Sequence, residues 1–240
     1  MILGMDISHW QDDYSTPQHV DFIKAQTAGA NYVFIKASQG VWVDRDLILN
    51  WENARIAKMI RGAYHFLEWA QDPVKQADYF YGVLKQDPGE LPPICDYEWK
   101  KPPSNASDIL YRFLQRTEQL FGRVPILYTS WGFWSSYGNN NSWWLKYPLW
   151  LAQYNGLDRP NRMPKPWTDF LFWQFSSTGD GHKFGCESLG VDMDWFNGTM
   201  EQLVKFAGMN QPPTPAELTR DEKLDIVWRE AGAHSWTLTK

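Results

Sequence analysis

Four times in its first 122 residues the chain repeats one pattern: a short β-type run followed by apolar residues at helical spacing. The runs are ILGMDIS (2–8), YVFIKAS (32–38), RGAYHFL (61–67) and PPICDYEW (92–99). The stretches after them (20–30, 48–60, 74–86 and 106–122) place apolar residues at i, i+3 and i+4, as in Tyr79, Phe80, Val83 and Leu84. Such alternation implies parallel strands joined by right-handed crossovers. A fifth run, VPILYTS (124–130), continues it, and then the character changes. PLWLAQY (148–154), DFLFWQFSS (169–177) and LGVDMDW (189–195) are separated by polar, Gly- and Pro-rich stretches. Eight strands with clear helices only in the first half predict an α/β chain closing into an irregular TIM-like barrel. A doubly wound open sheet is the competing arrangement, and 240 residues suffice for one such core.

The barrel is expected to occupy 1–208, followed by a Pro-rich linker at 209–218 and a C-terminal amphipathic helix and tail at 219–240. Thr219 and Glu222 form a capping-box pattern ahead of Leu224, Val227, Trp228 and Ala231. A lone helix of about a dozen residues is marginal in water, so its stripe needs a surface: the barrel or a second copy of the chain.

The fourth run contains two acids in an apolar and aromatic setting. Side chains two apart on a strand share a face, so Asp96 and Glu98 point together while Cys95, Tyr97 and Trp99 point away. Asp6 lies near the end of strand one, and Asp192 and Asp194 near the end of strand eight. In a closed barrel these carboxylates converge on the C-terminal rim, where barrel active sites sit. Crowding in a partly dry cleft keeps one carboxyl protonated and another ionised, the equipment for cleaving a glycosidic bond. Strand-end aromatics (Trp10, Tyr64, Trp99, Tyr128, Trp131, Trp150, Tyr154 and Trp173) suit sugar faces or core packing. Lys36, Gln153 and Gln174 can bind sugar hydroxyls or orient carboxylates. Asp6 with His9 and His65 is a weaker, metal-binding alternative; no cofactor is expected. Net charge is −5, which gives no basic footprint for nucleic acid or an anionic membrane. No apolar run reaches the roughly 18 residues of a membrane span. No signal peptide is visible at the N-terminus.

The stretches GMDISHWQ, FIKASQG, GAYHF, QADYF, CDYEW, ILYTSWGFW, LWLAQY, FWQFSS and VDMDWFNGT, in this order over residues 3 to about 200, resemble family 25 of the glycoside hydrolases, the Ch-type lysozymes. The resemblance implies a (β/α)5(β)3 barrel that hydrolyses the β-1,4 bond from N-acetylmuramic acid to N-acetylglucosamine in bacterial cell-wall peptidoglycan, with retention through substrate assistance. It assigns Glu98 as proton donor, Asp96 as partner carboxylate, Asp6 and Asp192 as supporting acids, and Tyr64, Tyr128 and Gln174 to the sugar site. Lys36, Trp99, Trp150, Gln153 and Asp194 complete the expected substrate-binding set. Gln39 stands where the family pattern has Glu, and Asp194 where Asn is commoner. The chitinase pattern D-x-x-D-x-D-x-E fails here, because Leu91 and Ile94 occupy two of its acidic positions. Without a visible leader, the chain suits a phage endolysin released by a holin or a secreted protein whose leader has been removed.

Overall fold

A computed structural model describes residues 1–13 and 19–214. The strands are β1 (Ile2–Ile7), β2 (Tyr32–Gln39), β3 (Trp42–Val43), β4 (Ile60–Phe66), β5 (Ile94–Asp96), β6 (Ile126–Ser130), β7 (Leu149–Ala152), β8 (Phe172–Asp180) and β9 (Gly190–Phe196). The helices are α1 (Phe22–Thr27), α2 (Leu47–Ile56), α3 (Pro73–Leu84), α4 (Ala106–Phe121), α5 (Trp131–Tyr137) and α6 (Met200–Phe206). The sheet runs β1-β9-β8-β7-β6-β5-β4-β2-β3 and closes through a β1–β2 pairing, so eight strands form a barrel and β3 is an appendage on β2. The expected helix at 219–231 lies outside the described residues. No described helix is long and apolar enough to cross a membrane.

Parallel pairing holds from β1 through β2 and β4 to β8, as the alternation predicts. The last strand departs from it. β9 is antiparallel to both β8 and β1. Its first residues therefore lie at the rim formed by the C-terminal ends of the others. Asp192 reaches that rim from the start of its strand rather than the end, opposite Asp6, and Asp194 pairs one step deeper, opposite Gly4. A hairpin between β8 and β9 permits this reversal, where a parallel β9 would need a crossover of a dozen or more residues.

Alternation sorts the core into two packed layers. Tyr32, Phe34, Ile60, Ile94, Ile126, Tyr128, Trp150, Phe172 and Phe196 form the inner cluster. Cys95, Tyr97, Leu127, Leu151 and Trp173 belong to the outer cluster with helix residues such as Phe80, Leu110 and Phe113. Two glycines make room for inner rings: a Cβ on Gly4 would meet the Tyr32 ring at 2.4 Å, and one on Gly62 would meet Phe34 at 2.7 Å. Cys95 and Cys186 are buried free thiols. Two helices that weak periodicity hid, α5 and α6, are set by their caps: Ser130 Oγ accepts from Phe133 N, and Thr199 with Gln202 forms a capping box.

A bulge in β2 decides where two polar residues face. Lys36 pairs with Tyr64, but Ser38, not Ala37, pairs with His65. The extra residue leaves Lys36 pointing inward and turns Ser38 to the outer layer, where its Oγ lies 2.9 Å from His65 Nδ1.

Candidate active site

Three strands deliver the acids to one cleft. Asp6 comes from β1, Asp96 from the last position of β5, and Asp192 from the first half of β9. Glu98 stands two residues beyond β5, on the loop that leaves the barrel. Ile94 and Asp96 point inward while Cys95 and Tyr97 pack outward, as strand alternation requires.

Gln174, on β8, organises the centre. Its Nε2 donates to Asp6 Oδ2 at 2.7 Å and to Asp192 Oδ2 at 3.3 Å. Its Oε1 accepts from Tyr128 OH at 2.8 Å and Tyr154 OH at 2.6 Å. Two carboxylates demand the amide's donors and two hydroxyls need its acceptor, so only one orientation of this buried amide satisfies both sides. Tyr128 also lies beside Glu98: burial and then the Glu98 charge push its hydroxyl well above its ordinary range. Tyr64 is buried among the acids and feels Asp6, Asp96, Asp44 and Asp192.

Burial dominates the acid–base character. Asp96 is pushed well up, first by burial and then by the Glu98 charge, with Lys36 opposing. Glu98 is raised by burial and by Asp192, and lowered by Lys36 and by the neighbouring Tyr128 hydroxyl. Its side chain is nonetheless open to solvent in the cleft, and water on that side makes its rise the weaker of the two. Burial raises Asp192 to about 6. Two like charges held this close titrate as a pair, so between them Asp96 and Glu98 keep a proton over a pH range where isolated carboxyls have lost theirs.

Lys36 supplies the cation of the site. Its Nζ donates to Gln39 Oε1 at 2.9 Å and sits 5.1 Å from the Phe66 ring centroid and 5.3 Å from that of Trp42. Its charge acts on Asp44, Asp96, Glu68 and Glu98, while burial lowers its own pKa. Gln39 passes the interaction on, its Nε2 donating to Glu68 Oε1 at 2.8 Å. Because Gln39 is neutral, Lys36 has no hydrogen-bonded carboxylate of its own there.

Other expected positions resolve differently. Trp150 is buried beneath the acids; its ring packs against Tyr128 and Phe34 at 4.4 Å, and its Nε1 donates to Asp194 Oδ1 at 2.7 Å. Asp194 is fully enclosed. Neither residue presents an atom to the cleft, because both point inward below the rim layer. Gln153 is turned to the 155–162 loop, donating to Arg162 O and accepting from Asn155 and the Asn161 amide. Trp173 faces outward and donates to Gln153 O. Trp99 packs edge-on against Phe66 beside the Lys36 cluster, since β5 ends before strand alternation can turn it away. Trp10 and Tyr154 are exposed at the rim.

The metal-binding alternative has the wrong geometry. His65 stacks on Phe113 in the outer layer, bonded to Ser38 and Gln76, and burial depresses its pKa to about 3. His9 Nδ1 lies 2.6 Å from Asp44 Oδ2. Among the described residues no group of three or more His, Cys, Asp or Glu is arranged to hold a metal ion. The sequence pattern did not single out Asp44 or Glu68, because both lie on connections rather than on a periodic element. Tyr154 stood among the rim aromatics, but its bond to Gln174 shows only in three dimensions.

Known proteins share this arrangement of strands over nearly the whole described core. The family model described as Glycosyl hydrolases family 25 matches residues 5–183. N,O-diacetylmuramidase of Arthroderma benhamiae is 33% identical over 219 residues, covering 86% of each chain. Lysozyme M1 of Streptomyces globisporus is 31% identical over 226 residues, covering 86% of this chain and 71% of its own. The crystal structure of a bacterial lysozyme from Streptomyces coelicolor superposes with a TM-score of 0.74 at 28% identity, over 86% of this chain and 96% of that one. Sequence, fold and acid-lined cleft agree, and the chain is a member of glycosyl hydrolase family 25.

Proposed function

We propose that this glycoside hydrolase is an N-acetylmuramidase that cleaves the β-1,4 bond between N-acetylmuramic acid and N-acetylglucosamine in peptidoglycan. The observation that carries the reading is the unequal pair on and after β5: Glu98 open to the cleft, Asp96 enclosed beside it. Accessibility assigns the roles. Of the pair, Glu98 is the one open to the cleft, and in this reading it delivers the proton to the leaving oxygen as the glycosidic bond breaks. Asp96 Oδ1 meets no hydrogen-bond donor within the described protein. When Glu98 holds the pair's proton, the ionised Asp96 balances the positive charge that develops at the anomeric carbon, or orients the substrate's own 2-acetamido group as it attacks.

Asp6 and Asp192, bridged by Gln174, hold the far side of the cleft, and Tyr64 and Tyr128 line its floor. Trp10, Trp42, Trp99 and Tyr154 at the rim provide faces on which sugar rings stack. The Lys36 charge opposes the rise that burial and Glu98 impose on Asp96. The expected stereochemistry is retention through the acetamido group, read by proton NMR of the first product on a soluble glycan. A β-anomer at early times supports it, and an α-anomer establishes inversion. Purified bacterial cell walls test the activity itself: the wild-type chain clears them and Glu98→Gln does not.

A further inference from the structure

From the cleft wall down into the barrel three carboxyls, Asp192, Asp6 and Asp194, share too few donors to be ionised together. Gln174 has two N–H bonds and spends them on Asp6 and Asp192. Asp194 takes the Trp150 indole N–H on Oδ1, and its Oδ2 meets no N–H or hydroxyl donor among the described residues. Asp6, on the neighbouring strand β1 two positions from Asp194's partner Gly4, is the carboxyl that interacts with it. Asp194 is 0% exposed and Asp6 7%, so both carboxyls are held away from bulk solvent. The other groups facing Asp194 are anionic or neutral: Asp192 on its own strand, Tyr32 on β2, Tyr154 after β7, and the uncharged Trp150 and Gln174. Lys36 directs its charge to Asp44, Asp96, Glu68 and Glu98 instead.

A hydrogen bond between two carboxyls requires a proton on one of them. Two buried anions in contact with no cation are far costlier than an acid–carboxylate pair. We infer that Asp6 and Asp194 share one proton held between their carboxyls, which makes Asp194 a positioning residue that fixes Asp6 against the cleft. The inference takes Asp6's role from the proposed function, but the proton itself is measured without any lysis. Burial raises Asp194 to about 8 and Asp6 well above its usual range, in keeping with at least one proton retained between them through neutral pH. Such groups bind more protons folded than unfolded. They therefore erode stability as pH rises from the ordinary carboxyl range through about 8.

Asp194→Asn preserves the shape, accepts from Trp150 on its oxygen and donates to Asp6 from its amide. Infrared difference spectra at pH 6 between wild type and this variant should contain a protonated-carboxyl C=O band that shifts in D2O and weakens as the pH passes about 8. The melting temperature of wild type should fall over that rise in pH more steeply than that of the variant, and the variant should keep a larger share of its pH 6 lysis at pH 8.5. Absence of the band together with parallel melting profiles overturns the shared proton. If Asp194→Asn does not fold, Trp150→Phe decides. Loss of the indole donor disfavours the charged form, so the band should persist to higher pH, and a spectrum with no protonated carboxyl at pH 6 contradicts the inference.

Discussion

At the scale of single residues, the proposed division of labour between Asp96 and Glu98 rests on position more than on intrinsic acidity, since burial raises both. Glu98→Gln keeps the shape and removes the proposed proton donor. Wall lysis should then fall by a factor on the order of a hundred or more. Asp96→Asn should cost a comparable factor, and a loss below tenfold in either variant, measured by turbidity, assigns the chemistry elsewhere. The pH profile should be a bell. Its acid limb follows ionisation of Asp192, at about 6, and its alkaline limb follows loss of the proton held between Asp96 and Glu98. Asp192→Asn, whatever its total activity, should extend the acid limb to lower pH; an unmoved limb assigns that ionisation to another group.

Among the elements, β9 and the bulge in β2 do most to shape the site. Neither was written in the sequence. Alternation showed that Asp192 and Asp194 face inward, but inward facing is the same for a strand running either way, so strand direction stayed hidden. The direction places Asp192 at the rim and sinks Asp194 beneath it. The bulge likewise breaks the count by two that would have put Ser38 beside Lys36. What could be read was the strand-end acids and Gln174, because on a regular strand residue parity alone fixes the face. Ties between elements are also cooperative. Arg61 on β4 is 3% exposed and binds Asp87 at 2.7 Å and Glu90 at 2.7 Å, holding the turn that leads into β5. Arg61→Met leaves both acids free to hydrate, since Asp87 and Glu90 are partly exposed, so the expected loss is about 1–3 kcal/mol by urea unfolding. A change under about 0.5 kcal/mol would mean that this turn needs no such tie.

For the whole molecule, chemistry and tail should separate. All the proposed catalytic side chains precede residue 200, and the described core ends with α6 and the packing of Met209 against the inner cluster. A chain ending at Met209 should fold and cleave soluble glycan fragments. Light scattering on both forms would distinguish a tail docked on the barrel, which leaves equal monomer masses, from one that joins two copies. A truncated chain that folds but cleaves no fragment places the tail in the active site. The central claim, that a muramidase cleft is built from Glu98, Asp96, Asp6 and Asp192, is tested most directly by the new reducing ends the protein makes. Purified peptidoglycan is digested, reduced with borohydride and hydrolysed, and the amino-sugar alcohols are separated. The account predicts muramicitol from the wild-type digest and none from Glu98→Gln. Glucosaminitol, or no reduced sugar from the wild-type protein, would contradict it.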